Sequence, residues 1–330
     1  MNWKKTRVLV TGAGGFIASH LTEELARRGA KVRALVRYNS RNQWGFLDEM
    51  DEGLAKRVEV WPGDITDSAY VAELVRGQDV VFHLAALISI PYSYAAPESF
   101  VAVNVRGTLN VLEACRRHKT AKLVHTSTSE VYGTARYTPI DEGHPLQGQS
   151  PYSASKIAAD HMADSYHRSF GLPVAIARPF NTFGPRQSAR AVIPTVLTQL
   201  LAGAKSLRLG SLGPARDFNY VADTVEGFLA IAAEPATVGQ VVNIGSGRAV
   251  RIDEVVRLSQ KLLGTRAPVV LDRARVRPAN SEVRMLLCDN RKARKLVGWK
   301  PRFSLEEGLV RTADYLRRNL RRYKTHLYNI

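Results

Sequence analysis

Cysteine is nearly absent: Cys115 and Cys288 are the only two in 330 residues. Their spacing suits neither a disulfide framework nor a zinc site, so no metal is expected and a reducing cytoplasm is the expected compartment. Long hydrophobic runs are also missing. No apolar stretch reaches the roughly 18–20 residues that a membrane helix needs. The charged start before Val8-Leu9-Val10 loosely mimics a signal peptide, but it runs into Thr11-Gly12-Ala13-Gly14-Gly15, which is a turn. Acidic residues are scarce relative to basic ones, with 30 Asp and Glu against 47 Lys and Arg, a net charge of +17. Residues 251–330 carry 20 Lys and Arg against 8 Asp and Glu, densest at Arg317–Lys324. No aromatic-interleaved or groove-reading motif accompanies that charge, so nucleic acid is not the expected partner. A solvated basic face, with some attraction for a diphosphate substrate, is the plainer reading.

What is present is a regular alternation. Short β-branched runs at Val8–Val10, Val32–Val36, Val58–Trp61, Val80–Leu84, Lys122–Thr126 and Val174–Ala177 alternate with helical patterns, the mark of βαβ units around a parallel sheet. Helices are expected over Ser19–Arg28, closed by Gly29, and from Ser150-Pro151 to Phe170, stopped by Gly171 and Pro173. Beyond Pro179 the alternation loosens into helices around Ile193–Ala204, Asp223–Ala233, Asp253–Leu263 and Leu305–Arg321. They suggest a smaller second lobe interleaved with the first.

The first strand leads through Gly12, Gly14, Gly15, Phe16, Ile17 and Ala18 into a helix. Such a turn lets backbone N–H groups and a helix N-terminus approach a pyrophosphate, which a Cβ would obstruct. The spacing Gly12-x-x-Gly15-x-x-Ala18 predicts a dinucleotide site. After the second strand, where an acidic residue would bind the ribose of NAD, stands Arg37-Tyr38-Asn39. Arg37 either pairs a 2′-phosphate, which would make the cofactor NADP, or is simply solvated.

Tyr152-Ser153-Ala154-Ser155-Lys156 supplies the chemistry. Residues four apart share a helix face, so the Lys156 ammonium is expected to favour the phenolate of Tyr152, whose ordinary pKa is about 10. The pair follows Thr126-Ser127-Thr128-Ser129-Glu130-Val131-Tyr132-Gly133 at a strand end. Together these describe a tyrosine usable as a base near neutral pH.

Thr11–Ala18, His83–Ala86, Asn104, Thr128–Gly133, Tyr152–Lys156, Arg178–Arg186, Arg216–Asp223 and Gly298–Pro301 resemble the extended short-chain dehydrogenases acting on nucleotide sugars. Leu87–Tyr94, Gln147–Tyr152 and Pro185–Pro194 are most similar to 4,6-dehydratases of legionaminic-acid-type pathways. The resemblance implies a Rossmann-like α/β fold with a doubly wound parallel sheet. Residues 1–178 would bind the dinucleotide, 217–246 would return to that domain, and 179–330 would bind the nucleotide sugar. It places Asp64 near the adenine, unless Asp64 is only a turn residue, and sets Ile65, Leu84, Ala85 and Ala86 beside the cofactor. Tyr152, Lys156 and Thr128 would oxidise the sugar at C4, and Glu130 would remove the C5 proton. Asn181, Arg216 and Arg277 would hold the diphosphate or ribose, with Arg186 and Arg190 as further anion contacts or surface charge. A homodimer is implied, pairing through helices at Asn104–His118 and Pro151–Phe170. One departure matters. Glucose 4,6-dehydratases carry Thr-Asp-Glu where this chain has Thr128-Ser129-Glu130. Ser129 is a poor acid for the departing C6 hydroxyl, so decarboxylation of a nucleotide-linked glucuronate and 4-epimerisation stay open. A non-enzymatic basic module conflicts with the intact Tyr152 and Lys156.

Overall fold

A computed structural model describes residues 1–325, 327 and 328. In chain order its strands are β1 Arg7–Thr11, β2 Lys31–Arg37, β3 Val58–Gly63, β4 Val80–His83, β5 Lys122–Thr126, β6 Val174–Pro179, β7 Asn181–Phe183, β8 Leu207–Leu209, β9 Ala215–Tyr220, β10 Val241–Ile244, β11 Ala249–Arg251, β12 Val269–Leu271 and β13 Met285–Leu286. Seven form one parallel sheet in the order β10-β6-β5-β4-β1-β2-β3. The fold is Rossmann-like and doubly wound, with the strand order reversing between β1 and β4. A crevice opens there at the carboxyl ends of the strands.

The six strands expected from the apolar runs all form. β4 and β6 are buried at every position, as parallel strands covered on both faces must be. β4 stops one residue earlier than expected, because the Leu84 N–H turns to the Thr11 hydroxyl (3.1 Å) instead of a neighbouring strand. β10 is a seventh, delivered beside β6 by the helix Val221–Ala233. One apolar cluster, including Val10, Leu21, Phe82 and Phe228, fills one face of the sheet. A second, including Leu9, Leu74, Leu112 and Ile176, fills the other.

The remaining strands build a smaller unit in which β9 is flanked by β7, β11 and β13, while β8 pairs β12. Helices Val192–Leu201, Ile252–Leu263 and Leu305–Asn319 pack there around Phe183, Val255 and Leu309. No helix among the described residues is long and apolar enough to cross a membrane.

Candidate active site

The glycine turn sits at the end of β1 and opens the helix Phe16–Arg27 without any side-chain cap. The first N–H groups of that helix are therefore left for a ligand. Gly12 has φ +71, and a Cβ there would lie 2.9 Å from the backbone of Ala85, so glycine is required twice over. Gly14 serves a different contact. A Cβ on it would stand 2.6 Å from the Trp44 carbonyl, and its own carbonyl accepts the Phe46 N–H (3.0 Å). Phe16 packs toward the second-lobe cluster and Ile17 into the first sheet face.

Thr11 ties the turn to β4. Its hydroxyl accepts the N–H groups of Leu84 and Ala85 (3.1 Å each) and donates to His83 Nδ1 (2.8 Å). With Nδ1 accepting, the His83 proton lies on Nε2, facing the Thr108 hydroxyl (3.0 Å), which donates to the Asn104 carbonyl (2.6 Å). Burial holds His83 well below its ordinary pKa, so the imidazole is neutral. The Asn104 amide continues the chain, pairing both backbone groups of Leu87 and donating to Ser155 Oγ (2.9 Å). Every hydrogen on this path has an acceptor, so the cofactor side of the crevice is rigid without metal or disulfide.

Three other expected cofactor residues lie at the ends of β2 and β3. Arg37 is exposed at the end of β2, and its charge helps hold the Asp64 carboxyl low after the larger effect of the Thr66 N–H. Asp64 Oδ1 accepts both the Thr66 N–H and hydroxyl (2.8 Å each), which is the turn role weighed for it. Ile65 is buried in the second core cluster, where its side chain meets Gly107.

The catalytic candidates form a stitched seam. Ser150 and Ser153 build a reciprocal cap that starts the helix Pro151–Phe170, and Gly171 in the left-handed region ends it. On its inner face stand Tyr152, Lys156 and Asp160, four residues apart. Opposite them stand three consecutive residues, Thr126 at the end of β5 and Ser127 and Thr128 just after it. Lys156 Nζ donates to the Thr126 carbonyl (2.6 Å) and Ser127 Oγ donates to Asp160 Oδ2 (2.6 Å), while Thr128 draws the Tyr152 pKa down against its burial. Tyr152 is 7% exposed, with its ring edge-on to Phe100.

Here an expectation needs correcting. The Tyr152 phenol is pushed up, not down: burial is the main cause, and the charges of Glu130 and Asp160 add to it. The ammonium is directed at the Thr126 carbonyl, so in this arrangement it does not offset that desolvation. Burial also pulls Lys156 down to about 8, opposed by Asp160.

The residues expected to hold the nucleotide sugar come from the second lobe. Arg216 on β9 is buried and pairs Glu282 (3.2 Å), while Arg277 Nη1 lies 3.8 Å from the same carboxylate. Neither the Arg277 Nη1 nor the Asn181 Oδ1 has a hydrogen-bond partner among the described residues, although both are buried. Such groups want a ligand. The charge of Glu130 acts on both Tyr152 and Arg216. Ser129 is 2% exposed, on the short turn that also carries Glu130. Arg190 lies on the exposed turn, hydrogen-bonded to Ser188 (3.2 Å). Arg186 is a second correction. It is buried against Glu23 (2.9 Å) and Glu49 (3.8 Å), clamping the loop after β2 to the first helix and leaving no free guanidinium for an anion.

Residues 9–312 match the family model described as GDP-mannose 4,6 dehydratase. The chain belongs to this family. It is an enzyme of the extended short-chain dehydrogenase type. Within the family's reach, dTDP-glucose 4,6-dehydratase of Streptomyces antibioticus is 34% identical over 316 residues, 94% of this chain and 92% of that relative. UDP-glucuronic acid decarboxylase 1 of Xenopus tropicalis is 32% identical over 335 residues, 98% of this chain and 75% of the relative. The structure of UDP-glucuronic acid 4-epimerase of Bacillus cereus with UDP-glucuronic acid and NAD is 28% identical, with a TM-score of 0.85 over 95% of this chain and 99% of that one. Three reactions thus stand at similar distance from this member of the dehydratase family.

Four residues had no role in the sequence reading: Ser127 and Arg178, which stood only inside quoted motifs, and Asp160 and Glu282. Arg178 pairs Asp160 (2.8 Å) with both side chains almost wholly buried. The spacing of Asp160 four residues after Lys156 was the available signal.

Proposed function

We propose that the protein is a nucleotide-sugar 4,6-dehydratase. Its substrate would be a UDP- or GDP-linked hexose or N-acetylhexosamine, converted to a 4-keto-6-deoxy sugar. The cofactor is NAD, in keeping with the uncapped helix behind the glycine turn and with the NAD in the Bacillus cereus epimerase structure. When bound, it takes hydride from C4 and returns it to C6. The observation that carries the reading is the place of Glu130. In a pyranose the C4 hydroxyl and the C1 phosphate lie at opposite ends of the ring. Glu130 follows Thr128 by two residues, and its charge acts on both Tyr152 and Arg216, which supports a carboxylate within reach of a ring held between those two.

The residues then act in order. Tyr152 takes the C4 hydroxyl proton as the hydride leaves C4, and Thr128 hydrogen-bonds the forming ketone. The ketone acidifies C5–H, and Glu130 removes that proton. With Ser129 buried, Glu130 also passes the proton to the departing C6 hydroxyl, which leaves as water. Hydride returned to C6 and a proton taken up at C5 complete the product, so no net oxidation occurs. Arg216, Arg277 and Asn181 hold the diphosphate end, guanidinium groups suiting phosphate geometry.

The same reading takes the protein as a cytoplasmic homodimer, in keeping with two free, buried thiols and with Val101 and Phe170 left exposed beside the expected pairing helices. The deciding experiment incubates the enzyme with a panel of nucleotide sugars and weighs the products. Loss of one water supports the proposal. Loss of carbon dioxide from a glucuronate, or unchanged mass with inverted C4, overturns it in favour of the decarboxylase or the epimerase.

A further inference from the structure

We infer that Glu49 is a positioning residue for the dinucleotide, through which the C-terminal helix latches the loop after β2 onto the glycine turn. The inference rests on NAD lying at that turn. The loop first closes on itself through Asn39, whose Oδ1 accepts the N–H groups of Arg41 (3.1 Å) and Gln43 (3.2 Å). It then runs along the turn, with the Trp44 carbonyl filling the space where a Gly14 Cβ would stand and the Phe46 N–H donating to the Gly14 carbonyl (3.0 Å). Gly14 lies two residues before the uncapped helix Phe16–Arg27, so lifting residues 44–46 loosens the turn that presents N–H groups to a pyrophosphate.

Two kinds of contact hold the loop down. Leu47 and Met50 are buried in the first core cluster. Between them the loop carries Glu49, whose side chain is only 13% exposed, and a carboxylate so covered needs partners. The Tyr315 hydroxyl, 3.0 Å from both carboxylate oxygens, donates to it from the helix Leu305–Asn319. Arg322, on the turn that follows that helix, donates to Oε1, and Arg186 Nε lies 3.8 Å from Oε2. The next residue, Tyr323, donates to the Gln187 carbonyl (3.1 Å), which ties the end of the latch to the Arg186 segment. All three partners of Glu49 come from the smaller unit, so the grip on the dinucleotide turn depends on a contact between the two parts of the fold. A reaction that borrows hydride and returns it to the same sugar fails when the reduced dinucleotide leaves early, and the latch opposes that loss.

The test is the rate at which holoenzyme exchanges its bound NAD for isotopically labelled NAD, read by mass spectrometry of the filtered protein. Glu49→Gln should exchange about tenfold faster or more, and Tyr315→Phe about threefold faster, since hydrogen bonds to charged groups are among the stronger ones. The double variant should stay within about twofold of Glu49→Gln, because the hydroxyl acts through that carboxylate. Glu226→Gln is the control for a general loss of stability. It breaks the pair Arg28–Glu226, which also joins the first helix to a later one but touches no part of the loop. Its exchange should stay within about twofold of the unmodified enzyme. Tyr315→Phe keeps every charge in place, so it decides the matter if Glu49→Gln does not fold. An unmodified rate in Glu49→Gln or in Tyr315→Phe overturns the inference, and so does equal acceleration in Glu226→Gln. Unmodified protein that binds no NAD refutes the cofactor assignment instead.

Discussion

Gly12→Ala isolates what the turn contributes, because the structure supplies its own control. Gly12 and Gly203 have almost the same backbone, at φ +71 and +72. Alanine in the left-handed region costs about 1–2 kcal/mol at either position. A Cβ on Gly203 meets nothing within 4 Å, so that cost is the whole effect there. On Gly12 the Cβ would lie 2.9 Å from both N and Cα of Ala85 and 3.2 Å from the Leu84 carbonyl carbon. These are backbone atoms at the end of β4, held by the Thr11 hydroxyl, and they cannot rotate away. Overpacking of this kind adds about 1–3 kcal/mol, giving about 2–5 kcal/mol in all for Gly12→Ala. Urea unfolding of both variants measures the difference, and the ultraviolet spectrum of the purified proteins reports retained dinucleotide. Gly12→Ala should be the less stable by about 1–3 kcal/mol and should carry less dinucleotide, whereas Gly203→Ala should keep it. Equal losses of stability would refute the argument from the Ala85 contact.

Replacing Glu130 by Gln should slow dehydration by about 10²–10⁴-fold while the first hydride transfer remains visible as reduced cofactor. Normal turnover by that variant would remove Glu130 from the chemistry. Arg216→Met should raise KM for the nucleotide sugar at least about tenfold, since a guanidinium–phosphate contact is a charge-assisted one. Arg186→Met should instead leave KM unchanged and lower the unfolding midpoint. His20 supplies a pH test. Burial pulls its pKa from 6.5 to about 4, so the folded imidazole stays neutral where the unfolded chain takes up a proton. Its contribution is therefore complete above pH 6.5 and is lost as pH falls toward 4, by at most about 3 kcal/mol. Urea midpoints at pH 7 and 4.5 should fall less in His20→Gln than in the unmodified protein.

The six strands of the first half were legible because each is a short β-branched run between turn signals, and burial on both faces selects such runs. β10 carries the same kind of residues, but it is only four long and gains its partner from β6, far back in the chain. The glycine turn and the spacing of Tyr152 and Lys156 are local, and their placement in the crevice follows from local structure. Charge pairing is not local. Arg186 lay in a segment rich in anion-binding residue types, yet its partners Glu23 and Glu49 come from the first helix and the loop after β2. Likewise the partner of Asp160, Arg178, comes from β6, and only the folded chain brings the two together. The rise in Tyr152 was invisible for the same reason. Spacing shows that a lysine is near, while only the packed structure shows how much water has been excluded.

The seam between Thr126–Thr128 and Tyr152–Asp160 draws its bonds from the end of β5 and the turn after it, from β6 and from one helix. Arg216, Arg277 and Glu282 hang from other strands and loops and lend it none. The enzyme is thus modular at the level of its chemistry. On the proposed assignment, exchanging the loops that carry Arg277 and Glu282 should leave the bonds of that seam intact. Relatives with three different reactions are what such a division permits. Grafting residues 275–284 between them is a way to move substrate preference without rebuilding the oxidation step.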